Sequence, residues 1–165
     1  NLNIILGAGR NTEGLVNYAE YIANRTTNYY GKIWVIFDKD DFDDGQFNRA
    51  IEKAHKNGYN VGWSNESIEL WFLLHFEFLN TAISREQCCQ KLSEHFRCNG
   101  IADGKYNKNA KNIFFILDEY GNIEQAIKWS EKLLDMHRKG GNCSPAKMKP
   151  ATTLHELVSE LKNYI

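Results

Sequence analysis

A chain of 165 residues, 42% hydrophobic and 25% charged, can bury one core of ordinary size, and its composition excludes intrinsic disorder. A formal net charge of −1 excludes nucleic-acid binding by bulk charge, so such a partner would need a local basic patch or a metal. The four cysteines at 88, 89, 98 and 143 fit no zinc or CxxC spacing, and no apolar run is long enough for a membrane span. The reading is of reduced thiols in a cytoplasmic protein without a signal peptide.

In chain order, the front half alternates strand and helix signals. "LNIIL" (2–6) is an apolar run closed by Gly7 and Gly9, and the chain opens directly into it without Met, as in a piece of a longer protein. Asn11 or Thr12 can cap a helix over about 13–25 with Leu15, Val16, Ala19 and Ile22 on one stripe. "KIWVIF" (32–37) is apolar without alternation, as in a strand covered on both faces. Phe47, Ala50, Ile51 and Ala54 mark a helix ending near Asn57-Gly58, and "YNVGW" (59–63) reads as a third strand. The order βαβαβ predicts a parallel sheet over 1–65.

From Glu66 onward the pattern is helical, and 1–165 reads as one domain. "SIELWFLLHF" (67–76) is apolar nearly all round, which predicts a buried helix. Further helices are predicted at about 84–97, 109–120, 122–138 and 151–164, the last with Thr152 or Thr153 as cap and Glu156 completing a capping box. Segments 99–108 and 139–150 read as long loops.

The second strand runs directly into the acids of "WVIFDKDDF" (34–42). In open α/β sheets ligands bind at the carboxyl ends of strands. Extended geometry points Asp38 and Asp40 at one spot with Lys39 facing away. Two carboxylates there repel unless a cation neutralises them, and Mg²⁺ (or Mn²⁺) suits one or two carboxylates. Asp41, Asp43 and Asp44 could add to the field, or Asp43 or Asp44 could cap the next helix. The plainer alternative is a solvated Asp-rich turn. Ser64, Asn65, Glu66 and Glu69 form a second polar cluster at the end of the third strand. Glu69 sits among Ile68, Leu70 and Trp71, where an acid needs a partner, a metal or a helix N-terminus.

The segments "GAGRNTEGLV" (7–16), "VIFDKDDF" (35–42) with "FNRAI" (47–51), and "SNESIELWFLLHFE" (64–77) come in a specific order. They continue through "KYNKN" (105–109), "AIKWSEKLL" (126–134) and "KPATTLHELVSEL" (149–161). Together they resemble the RloB-like family, also described as AbiLii-like abortive phage resistance proteins, whose domain is related to Toprim. The resemblance implies a compact α/β, Rossmann-like metal-binding domain acting on nucleic-acid phosphodiesters, with the DxD on Asp38 and Asp40. The family's catalytic glutamate, in an "EG-x-x-TE" segment, maps onto nothing here, since "NTEG" (11–14) belongs to the following motif. The expectation is therefore a chain that lacks its N-terminal segment and a principal catalytic acid, with cleavage assigned to the intact protein.

The expected function is Mg²⁺-dependent cleavage of DNA or RNA in bacterial phage defence, with Asp38 and Asp40 holding the metal and Glu69 catalytic beside them. Ser64 and Asn65 would orient substrate, and phosphate contacts are sought in Arg10, Lys105, Lys108, Lys147 and Lys149. His75 reads as a core histidine. Tyr29-Tyr30 and Trp63 could stack bases but suit packing better. The alternative is a non-catalytic module bound to an ABC-type ATPase through its aromatic helical half. A receiver domain is disfavoured because the chain lacks a fifth αβ unit after residue 66. A P-loop enzyme is excluded because no GxxxxGK[ST] occurs.

Overall fold

The computed structural model describes residues 2–7, 9–26 and 30–164. Helix α1, Thr12–Arg25, starts where the Asn11 side chain accepts from the Gly14 amide, and Val16 fixes its buried face. Strand β1, Trp34–Asp38, leads into α2, Asp44–Lys56, which Asp43 caps by accepting from the Gln46 amide. The predicted stripe of α2 holds: Phe47, Ala50, Ile51 and Ala54 are all buried. Strand β2, Asn60–Asn65, lies parallel to β1, with Phe37 beside Trp63 and Asp38 beside Ser64.

The helical half follows as α3 (Glu69–Leu73), α4 (Arg85–Cys98), α5 (Ile113–Tyr120) and α6 (Ile123–Lys139). A 3-10 turn at Pro145–Lys147, the two-residue strand β3 (Ala151–Thr152) and α7 (Leu154–Lys162) complete it. β3 pairs antiparallel with β2, giving a mixed sheet in the order β1-β2-β3.

Two expectations of a three-stranded parallel sheet are corrected. Residues 2–6 form no strand: Leu2, Ile4 and Leu6 are 73%, 77% and 81% exposed. Extended backbone needs a neighbour for its N–H and C=O groups, and no described strand pairs with this run. β1 is consequently the sheet edge, and Ile36 is 44% exposed, so β1 is covered on one face rather than two. The third strand comes instead from 151–152, which the capping pattern had placed in the last helix. Thr153 stands at the cap position of α7 but makes no cap bond. Its hydroxyl is engaged by β2, donating to the Val61 carbonyl and accepting from the Trp63 amide.

One core lies between the sheet and α1 and α2, built on Val35, Phe37, Val61, Trp63 and Phe47. Trp63 meets Phe47 edge-on at 5.9 Å, so it packs in the core and is not free to stack a base. Of the tyrosine pair, Tyr29 lies outside the described residues, and the Tyr30 hydroxyl accepts from Asn3. A second core joins α3, α4, α6 and α7 through Leu73, Leu92, Leu133 and Leu154. Among the described residues no helix is long and apolar enough to cross a membrane.

Candidate functional site

The carboxyl ends of β1 and β2 point the same way, and the turns that leave them are laced together. The Lys39 amide donates to the Ser64 carbonyl, and the Asp40 amide donates to the Glu66 carbonyl. Asp40 has φ +43°, a left-handed conformation that Asp tolerates better than most residues. Asp38 and Asp40 thus face one spot because of a turn, not because the strand continues. Lys39 faces away, pairing with Asp44 at 3.1 Å.

What occupies that spot is the Arg85 guanidinium, which sequence reading passed over. Its Nη2 donates to Asp38 Oδ2 at 3.3 Å and pairs with Asp40 Oδ1. Its Nε lies 3.5 Å from Glu69 Oε2, near enough for charge attraction, yet neither atom has a hydrogen-bond partner. Glu69 is only 4% exposed, and the Tyr106 hydroxyl donates to its other oxygen at 3.2 Å. Arg85 opens α4, whose start is fixed by a capping box between Ser84 and Gln87. A cation in the first turn of a helix opposes the helix dipole. That mismatch was the one local sign in the sequence that Arg85 has acidic partners elsewhere.

The electrostatics record an incomplete balance. If all three carboxylates ionise, one guanidinium leaves two negative charges over. Burial pushes Asp38 up to about 7, and the nearby Asp40 and Glu69 charges add to the rise against the Ile68 amide and Arg85. Asp40 is also raised, first by burial, although Arg85 pulls it down. Burial works to lower Arg85, but the carboxylates outweigh it and hold Arg85 above its ordinary value.

The residues fit a divalent cation by their chemistry. Hard carboxylate oxygens, a buried Glu69 Oε2 without a hydrogen bond, and an Asp38 driven toward protonation are what an added positive charge would relieve. Among the described residues no three His, Cys, Asp or Glu side chains are already arranged as a ligand set. Arg85 reaches all three acids.

The other predicted residues sort by what holds them. Ser64 is fully buried, its hydroxyl 2.9 Å from that of Thr152, and Asn65 donates to the Ala146 and Pro145 carbonyls. Both therefore brace the sheet end and the 3-10 turn, a correction to their expected contact with substrate. Lys149 pairs with Glu66. Arg10 stacks over the Tyr18 ring at 3.8 Å and donates to the Gly7 carbonyl, away from the acids. Lys108 and Lys147 are exposed. His75 is the expected core histidine: Nδ1 lies 2.9 Å from the Trp71 carbonyl, and burial lowers its pKa. Cys88, Cys89, Cys98 and Cys143 are all free thiols.

The model of the family described as RloB-like protein matches residues 4–161. The chain belongs to the RloB-like family. In this RloB-like chain the match takes in the DxD turn after β1, the helices that carry Glu69 and Arg85, and the loop that carries Tyr106. No curated protein and no solved structure matches it.

Proposed function

We propose that this RloB-like chain carries a Toprim-related divalent-metal site and serves Mg²⁺-dependent cleavage of nucleic-acid phosphodiesters in a bacterial anti-phage abortive-infection response. The observation that carries the reading is that Asp38 and Asp40, at and just past the carboxyl end of β1, and Glu69, at the start of α3, all face the one guanidinium of Arg85. Asp38 and Asp40 would hold Mg²⁺ or Mn²⁺, with Glu69 fixed beside them by Tyr106. When bound, such an ion polarises a phosphoryl oxygen and makes a nucleophile of water at neutral pH. Arg85, 35% exposed at its side chain, neutralises the acids and is placed to turn toward a phosphate, where a guanidinium binds two oxygens at once. The free thiols agree with a cytoplasmic location.

The direct test follows cleavage of end-labelled single- and double-stranded DNA and RNA in Mg²⁺, Mn²⁺ and EDTA. Cleavage that needs the metal and disappears in Asp38→Asn supports the proposal. Cleavage that persists in EDTA or in Asp38→Asn contradicts it.

A second reading rests on α5, where Phe114 and Phe115 are 66% and 68% exposed. Adjacent exposed aromatic rings suit a protein interface, and an ABC-type ATPase is the partner this reading names. It requires that Phe114→Ser/Phe115→Ser abolish co-purification with that ATPase, and an unaffected complex would remove it.

A further inference from the structure

Beside the acid cluster lies a cleft of about 580 Å³ between α4 and the loop at 101–112. One face of α4 connects the two. Arg85, Cys89, Ser93 and Phe96 follow one another at helical spacings of four, four and three, so they form a continuous stripe. Arg85 touches the acids, whereas Cys89 and Phe96 line the cleft. One helical turn, about 5.4 Å, separates Arg85 from Cys89. Tyr106 spans the same gap: its ring lines the cleft while its hydroxyl donates to Glu69.

The loop that closes the cleft is anchored. Ile101 is buried against Phe96 and Ile116. The Tyr106 amide donates to the Ser93 hydroxyl at 3.0 Å, and that hydroxyl donates to the Cys89 carbonyl. Ala102 and Gly104, at φ +49° and +74°, shape the turn between these anchors. The cleft is therefore built into the fold.

Its lining has the chemistry of a nucleobase site. Tyr106, half-buried over the core residues Phe96 and Ile116, supplies the one aromatic face, Asn107 and Asn112 supply amides that both donate and accept, and Lys105 and Lys108 supply cations beside Asp103. Ligand sites of this kind run from about 300 to 1,000 Å³. A base stacked in a duplex cannot enter such a cleft, whereas an unpaired base can.

We propose that this cleft binds one unpaired base of a single-stranded nucleic acid, RNA or DNA, and so places the neighbouring phosphate at the Asp38–Asp40–Glu69 cluster. The inference rests on the nuclease reading for the phosphate's fate but not for the binding itself. Fluorescence anisotropy in EDTA, with a labelled 12-nucleotide DNA, the matching RNA and the blunt duplex, tests it. Single strands are expected to bind more tightly than the duplex. Ala110→Trp, which fills the cleft from a partly exposed loop position, should weaken single-strand binding about tenfold, on the scale of one lost base stack. Whichever single strand binds more tightly identifies the sugar preferred. A strand carrying 5-iodouracil should photo-crosslink to Tyr106, an arm that does not depend on how well the variant folds. The proposal is overturned if Ala110→Trp melts like wild type and binds unchanged, if the duplex binds as well as the single strand, or if cross-links map elsewhere. Metal binding separates the two ideas: Asp38→Ala/Asp40→Ala should abolish it, whereas Ala110→Trp should weaken single-strand binding and leave it intact.

Discussion

Arg85 sits in the first turn of a helix, where the dipole disfavours it, because three carboxylates from two other segments need a positive charge. Removing it should leave those acids facing one another. Arg85→Gln is expected to lose roughly 1–2 kcal/mol at pH 8 in EDTA, below the 3–5 kcal/mol of a fully buried pair because the guanidinium is partly solvated. Chemical denaturation measures this, and Asp38→Asn should move stability the opposite way by removing one repelling charge. An Arg85→Gln protein as stable as wild type would mean that the cluster needs no resident cation. The acids themselves were legible in the sequence, since four charges directly after an apolar strand have few placements. Arg85 and Tyr106 were not, because 45 and 66 residues of chain separate them from Asp40 and only the packing of α4 and its following loop brings them back.

At the scale of elements, the strand that closes the sheet lasts two residues and is reinforced by hydroxyls. Thr152 donates to the Trp63 carbonyl, and Thr153 accepts from the Trp63 amide inside the core. Thr153→Val keeps the shape but leaves that amide buried and unpaired, a loss of about 1–3 kcal/mol expected in thermal or urea unfolding. A change below a few tenths would show that β2 is held by the backbone ladder alone. Here the sequence read well for α1, α2, α4 and α6, whose apolar stripes and caps are local. It misled at 2–6 and 151–153. An apolar run forms a strand only beside a partner, which local pattern does not reveal. Thr153 with Glu156 fitted a capping box, but a long-range bond to β2 claimed the threonine hydroxyl instead.

Across the whole molecule, the sheet half supplies the two aspartates and the helical half supplies Glu69, Arg85 and Tyr106, so the site depends on both. Opposed titrations follow from that assembly. His75 and His155 are lowered from an ordinary value of 6.5, chiefly by burial. The unfolded chain binds those protons more readily, so their contribution is complete above pH 6.5 and is lost as pH falls below it. Asp38 is raised from 3.8 to about 7, so its contribution is complete below the first value and is lost as pH rises through the second. The stability of Asp38→Asn minus that of wild type, in EDTA, should therefore widen from about pH 4 to pH 7 and then level off. Parallel melting profiles across that range would contradict the placement of Asp38 in a buried, uncompensated cluster.

The most direct measurement is calorimetric titration of Mn²⁺ or Mg²⁺ into the wild-type chain and into Asp38→Ala/Asp40→Ala at pH 8, where Asp38 is deprotonated. Saturable binding by the wild type and none by the double variant is the expected result. No heat from either protein, or equal binding by both, would contradict a metal centre at the end of the sheet.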